Sequence, residues 1–264
     1  MMDYSNFLEV ALRAAKEGGR VALSHSSSIV VINKQTHVGE FNPVTHADLE
    51  AEKVICDLIK KEFPSHCIIG EEGGSNKLVS EFSWHVDPID GTNNYIRGIL
   101  NWGVMIGVCH NGEPVVGVIY HPSSGVIFQA AKGKGAFKNE EKIRVSNVEK
   151  LSEACTECPG YLRGENRIRV VEFFKKFLPI VRSYRHFGAS ALAFPMLAEG
   201  KLDLNVEENY QLHDVVPGVA LVKEAGGVAV DFEGKEWNIN SKGIIVASTK
   251  QLALEALQRL KDKS

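Results

Sequence analysis

Trp84-His85-Val86-Asp87-Pro88-Ile89-Asp90-Gly91-Thr92-Asn93-Asn94-Tyr95 gathers two carboxylates, a hydroxyl and turn-forming residues where an apolar run ends. Pro88, with its fixed φ and missing N–H, is expected to stop a strand and turn the chain, so that Asp87 and Asp90 converge on one point. Gly91 lets the backbone approach a ligand closely. Thr92 adds a hydroxyl at a helix start whose free N–H groups face the same point. An isolated Asp-Gly is an ordinary turn. Two carboxylates this close repel unless a cation or a proton lies between them, so the whole run points to phosphate held beside divalent cations.

Immediately upstream, Cys67-Ile68-Ile69-Gly70 reads as a short buried strand ending in Glu71-Glu72, and residues 83–86 read as a second strand. Two neighbouring strands would deliver Glu71, Asp87 and Asp90 to one edge, a magnesium-type site of hard oxygen ligands completed by waters. Before them, residues 45–61 carry Ala51, Val54, Ile55, Leu58 and Ile59 at helical spacing, with Asp48 in the first turn. An acid there is ordinarily a partner of the helix dipole. Residues 5–23 form a packing helix through Phe7, Val10, Ala11, Ala14, Val21 and Ala22, with Ser5 as a cap. Residues 24–43 are expected to hold a strand over 29–32 and a mobile loop.

Downstream, residues 102–110, Asn111-Gly112 and residues 115–120 give the strongest short hairpin signal, and residues 126–131 extend the same antiparallel sheet. Gly133-Lys134-Gly135 resembles a fragment of a dinucleotide loop but lacks the helix and later acid that such a loop needs. Polar residues thicken around 146–152, after which strands and helices alternate. This places a boundary near 150: an N-terminal α+β domain, 1–148, with most of the acids, and a C-terminal α/β domain, 149–264. Residues 170–177 and 189–198 read as helices, the latter kinked or shortened by Pro195, and 202–206 as a strand. Asp214 is expected at the N-cap of a helix over 215–225 that Gly226-Gly227 closes. Strands over 228–230 and 244–247 and a helix over 252–260 end the chain.

The 264 residues suffice for one large or two medium domains, and 44% hydrophobic with 24% charged residues is ordinary for a soluble protein. A net charge of −3 and the absence of Lys/Arg runs argue against nucleic-acid and membrane partners. Asp3, Glu9 and Arg13 break the first apolar stretch, so neither a signal peptide nor a membrane span is expected there. Five cysteines, an odd number, argue for a reducing, cytoplasmic compartment. Cys56, Cys67 and Cys109 read as small core residues. Cys155-Thr156-Glu157-Cys158 has redox or zinc half-site spacing without a completing pair, and is read as free thiols.

Taken in order, Thr45-His46-Ala47-Asp48, Gly70-Glu71-Glu72, Asp87-Pro88-Ile89-Asp90-Gly91-Thr92 and His213-Asp214, before a helix ending Glu224-Ala225-Gly226-Gly227, resemble the inositol monophosphatase family. Gly117-Val118-Ile119-Tyr120, Lys132-Gly133-Lys134-Gly135-Ala136-Phe137 and Ala198-Glu199-Gly200-Lys201-Leu202-Asp203 extend the similarity over most of the chain. The resemblance implies a layered αβαβα sandwich of the sugar-phosphatase type, an α+β or α/β fold. It further implies a lithium-sensitive, magnesium-dependent phosphomonoesterase and a homodimer. Carried over by position, one magnesium would be held by Glu71, Asp87 and the Ile89 carbonyl, a second by Asp87, Asp90 and Asp214, and a third ion through waters near Glu71. Asp48, Thr92 and Glu71 would be catalytic. Asp90, Gly91, Thr92, Gly188, Ala189, Ser190, Glu207 and Asp214 would meet the substrate. The chain departs from the family's pattern in carrying His213 where Trp is usual, Val215-Val216-Pro217-Gly218 where small residues are usual, and Asn93 in place of Thr. Pro217 is expected in the first helical turn, where its missing N–H costs little.

The expected activity is hydrolysis of small phosphate monoesters, inositol monophosphate first and fructose 1,6-bisphosphate next. Histidinol phosphate and nucleotide 3′-phosphates fit Asn93-Asn94-Tyr95 less well. A non-catalytic metal-binding regulator would be favoured by loss of Asp48 or Thr92, and both are present. A calcium-binding module would need an Asp-x-Asp-x-Asn loop, which the sequence lacks.

Overall fold

The computed structural model describes residues 2–33, 43–76, 78–157 and 166–262, with only the backbone course given for Asn33 and residues 166–169. The expected mobile loop falls largely in 34–42, and Cys158 in 158–165, so both lie outside the described residues.

The N-terminal part runs α1 (Ser5–His25), β1 (Val31–Asn33), β2 (Pro43–Thr45), α2 (His46–Glu62), β3 (Cys67–Gly70), β4 (Phe82–Asp90), α3 (Thr92–Tyr95), β5 (Gly103–His110), β6 (Glu113–His121), β7 (Val126–Ala131), β8 (Gly135–Lys138) and β9 (Glu141–Lys142). A 3₁₀ turn at Leu151–Glu153 leads to β10 (Cys155–Glu157), α4 (Asn166–Phe177), β11 (Ser183–Arg185), α5 (Ser190–Ala198), β12 (Leu204–Glu207), α6 (Leu212–Glu224), β13 (Val228–Val230), β14 (Ile244–Ala247) and α7 (Lys250–Lys261). One seven-stranded sheet has the order β3-β4-β5-β6-β7-β8-β9, and a five-stranded sheet the order β11-β10-β12-β14-β13.

The layering follows from side-chain alternation along the central strands. On β5, Val104, Ile106 and Val108 join Val10, Ala14, Ile55 and Ile59 of α1 and α2 in one core. Met105 and Cys109, facing the other way, join Phe194 and Leu197 of α5, Val215, Val219 and Val222 of α6, and Ile244 and Val246 of β14. Leu204, Ile245 and Ala247 of the second sheet pack against α4 and α7 through Phe173, Phe177, Leu252 and Ala256. The order is therefore helices, sheet, helices, sheet, helices: the αβαβα sandwich.

The middle layer depends on two glycines. Gly107 and Gly117 are directly paired across β5 and β6. A Cβ on Gly117 would lie 2.1 Å from the Pro217 carbonyl oxygen, and one on Gly107 would lie 2.8 Å from the Pro217 nitrogen. The α6 backbone thus rests on bare sheet at this crossing, which fixes the height of the helix start above the strand ends.

Several expectations are corrected. Pro88 does not end a strand: β4 continues to Asp90 with a register shift between Asp87 and Asp90. Asp214 is not an N-cap; Gln211 is, and α6 begins at Leu212. Pro217 consequently lies inside α6, beyond the first turn, where it has no N–H to give the His213 carbonyl. Ser5 is a helical residue following Tyr4, and its N–H and hydroxyl donate to Asp3 Oδ1. Cys56 and Cys67 are only half-buried, whereas Cys109 and Cys155 are buried. In the hairpin, Asn111 and Gly112 both take positive φ, 50° and 82°, as the tight turn requires.

Candidate active site

The parallel pairing of β3 with β4 sets Gly70 beside Val86, so Glu71 and Asp87 leave the sheet side by side. Glu52, buried on α2, accepts the Glu72 and Gly74 N–H groups at 2.7 Å each and so pins the turn that follows Glu71. On β4, Asp87 pairs with Met105 and Asp90 with Gly103. Three steps on one strand oppose two on the other, a bulge. In a regular strand, residues three apart face opposite sides; the bulge turns the Asp87 and Asp90 carboxylates to the same side, within 4.8 Å of each other and of Asp214. Gly91, at φ 90°, then starts α3, and a Cβ there would sit 2.9 Å from the Asn101 carbonyl and 3.0 Å from Ala189.

Two helix starts supply the remaining acids. Asp48, the third residue of α2, shares a capping box with Thr45, whose N–H donates to Asp48 Oδ2 at 2.7 Å. Its other oxygen, Oδ1, is 3.4 Å from the Thr92 hydroxyl, which also donates to the Ile89 carbonyl at 3.0 Å. The first turn of α6 presents Asp214 to Asp87 and Asp90, and a ring nitrogen of its neighbour His213 to Glu71 and Asp87.

Asp90 is held from the far side by a relay whose parts lie far apart in sequence. The Ala191 N–H donates to Asp90 Oδ2 at 2.5 Å, and the Ala191 carbonyl accepts His121 Nε2–H at 2.6 Å. That carbonyl is the one Pro195 cannot serve, having no N–H, so α5 continues past Pro195 to Ala198 with His121 as substitute donor. Asn94 Nδ2 donates to the carbonyls of Asn101 and Phe187, tying α3 to the Gly188-Ala189-Ser190 turn. Glu207 on β12 accepts from Asn205, while Glu157 on β10 accepts the Phe187 N–H.

Burial dominates the electrostatics. It pushes the Asp87 carboxyl well above the usual range, helped by repulsion from Glu71, Asp90 and Asp214. Asp214 is raised in the same way by burial, then Asp90, Glu71 and Glu207. Asp90 is pushed up to about 7 by burial, and Asp48 to about 6 by burial against the pull of Thr45. Burial likewise raises Glu157 and Glu207. Among the described residues, no Lys or Arg neutralises Asp87, Asp90 or Asp214. The donor set fits divalent cations: hard carboxylate oxygens, converging, dehydrated and mutually repelling.

Each residue marked in the sequence therefore falls around one point at the end of β4, save that Glu207 and the 188–190 turn approach from the second sheet. Sequence reasoning missed Glu52, His121 and Glu157 as supports of this site. His121 before a Pro and Glu52 within a helix carry no local signal, because their partners arrive from other elements.

The model described as Inositol monophosphatase family matches residues 3–263. The "Fructose-1,6-bisphosphatase/inositol-1-monophosphatase" of Aquifex aeolicus is 35% identical over 229 residues, 86% of each chain. "Inositol monophosphatase 1" of Solanum lycopersicum is 36% identical, over 96% of this chain and 94% of its own. The crystal structure of extragenic suppressor protein suhB from Bartonella henselae superimposes with a TM-score of 0.87 at 29% identity, covering 98% of this chain and 100% of that one.

Proposed function

Because the chain belongs to the inositol monophosphatase family, metal-dependent phosphomonoesterases, we propose that it hydrolyses inositol monophosphate to inositol and phosphate, with fructose 1,6-bisphosphate as a second substrate. The observation that carries this is the convergence of Glu71, Asp87, Asp90 and Asp214 beside the Asp48–Thr92 pair. The dual name of the Aquifex relative supports the second substrate.

Glu71, Asp87 and the Ile89 carbonyl would hold one magnesium, and Asp87, Asp90 and Asp214 another, with a third near Glu71. Bound there, these ions would neutralise phosphate oxygens and make water acidic enough to attack phosphorus in line. The Thr92 hydroxyl orients the attacking water, and Asp48 draws its proton away. Burial keeps that carboxyl about 6, high enough to accept a proton near neutral pH. The Gly91 and Thr92 N–H groups hold the phosphate, while Glu207 and Gly188-Ala189-Ser190 meet the hydroxyls of the leaving group. Water's oxygen joins phosphorus, the ester P–O bond breaks, and the departing alkoxide takes a proton.

Phosphate release from inositol 1-phosphate and fructose 1,6-bisphosphate across a magnesium titration, with a chelated control, tests this. Magnesium-dependent release supports the reading and the kcat/KM ratio ranks the two substrates; no release from either defeats it. The cytoplasmic homodimer and lithium inhibition implied by the resemblance belong to the same proposal, and sedimentation and a lithium titration check the last two. Among the described residues, no helix is long and apolar enough to cross a membrane.

A further inference from the structure

His213 stands within the acid cluster, not beside it. One of its ring nitrogens and one carboxylate oxygen each of Glu71 and Asp87 all lie within 4.8 Å of one another. Two ligands on one transition ion are separated by roughly twice a 2.0–2.2 Å bond at most, so a small closure would place all three on a common ion. The ring's direction is built in. His213 is the second residue of α6, just before Asp214, and both are only 9% exposed. The helix start cannot drift, because Pro217 is seated on the paired glycines of β5 and β6.

We propose that His213 is a nitrogen ligand of the ion held by Glu71 and Asp87, so that this site, while still taking magnesium, binds a first-row transition ion more tightly than its carboxylates alone would. This rests on the metal-binding reading above. Imidazole suits borderline ions such as Co2+ and Zn2+, whereas Mg2+ takes oxygen ligands and keeps its waters. A site of Glu71, Asp87 and His213 therefore differs in kind from the all-oxygen site of Asp87, Asp90 and Asp214. The competing role for the ring is as a partner of Asp214, whose Oδ1 is 3.5 Å from Nε2. In that role its loss would alter Co2+ and Mg2+ binding alike.

The test is calorimetric titration of the metal-stripped protein with Co2+ and with Mg2+, for wild type and His213→Phe. It is joined by pulsed EPR of the Mn2+-loaded wild type and variant, to detect nitrogen coupled to the ion. The expected result is a loss of at least about tenfold in Co2+ affinity in the variant, with Mg2+ affinity within about threefold. A nitrogen coupling present in wild type and absent from the variant is expected with it. An unchanged Co2+/Mg2+ affinity ratio, or no nitrogen coupling in wild type, overturns the assignment of His213 while leaving the carboxylate site standing. Failure of every ion to bind overturns both. If His213→Phe does not fold, His213→Gln replaces it with the same outcomes.

Discussion

Asp90→Asn is expected to stabilise the metal-free protein while abolishing turnover. Burial raises the Asp90 carboxyl from 3.8 to about 7, against the pull of the Ala191 N–H and with Glu207 adding repulsion. For an acid raised in the folded state, the stability it contributes is complete below the unfolded pKa and lost as pH rises through the folded one. At about 1.4 kcal/mol per tenfold change in proton affinity, the rise from 3.8 to about 7 amounts to about 4 kcal/mol lost above pH 7. Asparagine removes the charge and keeps an oxygen for the Ala191 N–H, giving up about 1 kcal/mol of charge-assisted bonding. The net gain of about 3 kcal/mol corresponds to about 6 °C in Tm for a chain of this size. The gain should be full near pH 8 and fade toward pH 4. Magnesium at about a hundred times its Kd would stabilise wild type by about 2.7 kcal/mol and the variant by less, narrowing the gap. Calorimetric scans of chelated and magnesium-loaded proteins across that pH range, with phosphate release beside them, make the measurement. A chelated variant no more stable than wild type near pH 8 would refute the reasoning, and wild-type turnover would refute the ligand role.

Three further outcomes are expected. Thr92→Ala should lower kcat by about a hundredfold or more with magnesium Kd within about threefold, read by steady-state kinetics and titration calorimetry; equal losses in both would make Thr92 a structural residue. Gly117→Ala drives a Cβ to 2.1 Å from the Pro217 carbonyl oxygen, so it should cost about 1–3 kcal/mol in denaturant unfolding. It should also weaken magnesium binding by lifting the first turn of α6; full affinity in a destabilised variant would show that α6 does not register Asp214. His121→Phe leaves the Ala191 carbonyl without its donor, at about 1–3 kcal/mol, and should weaken magnesium binding through Asp90, with His121→Gln restoring part of both; no effect on binding would uncouple the relay from the site.

What the sequence made legible was local. Helical spacing placed α1 and α2, and Asn111-Gly112 announced a turn that needs positive φ at both positions. The neighbouring acidic strand ends announced Glu71 beside Asp87. What it concealed depends on partners from afar. Pro88 reads as a strand stop, yet pairing with β5 carries the strand past it as a bulge, and only that pairing shows why Asp87 and Asp90 share a side. Pro217 reads as a first-turn residue because nothing local shows that Gly107 and Gly117 cradle it within α6. Pro195 reads as a place where the helix shortens, yet α5 runs on to Ala198, because the compensating donor, His121, belongs to another strand.

The site's charge balance explains why so many helices begin there. Asp48 and Asp214 are each the third residue of their helices, Ala191 offers Asp90 an N–H from the first turn of α5, and Thr92 opens α3. The positive ends of these helices favour the nearby carboxylates, but each contributes about 0.3–1 kcal/mol, at most about 2 in a partly buried setting. Against about 4 kcal/mol for Asp90 alone, and further repulsion at Asp87 and Asp214, that is insufficient. The helix ends make the cluster tolerable in the folded chain without neutralising it, and the remaining deficit is what divalent ions would relieve. With the carboxylates satisfied by cations, as proposed, the N–H groups at the start of α3 would meet a second anion, and a phosphate ester is the anion this arrangement would suit.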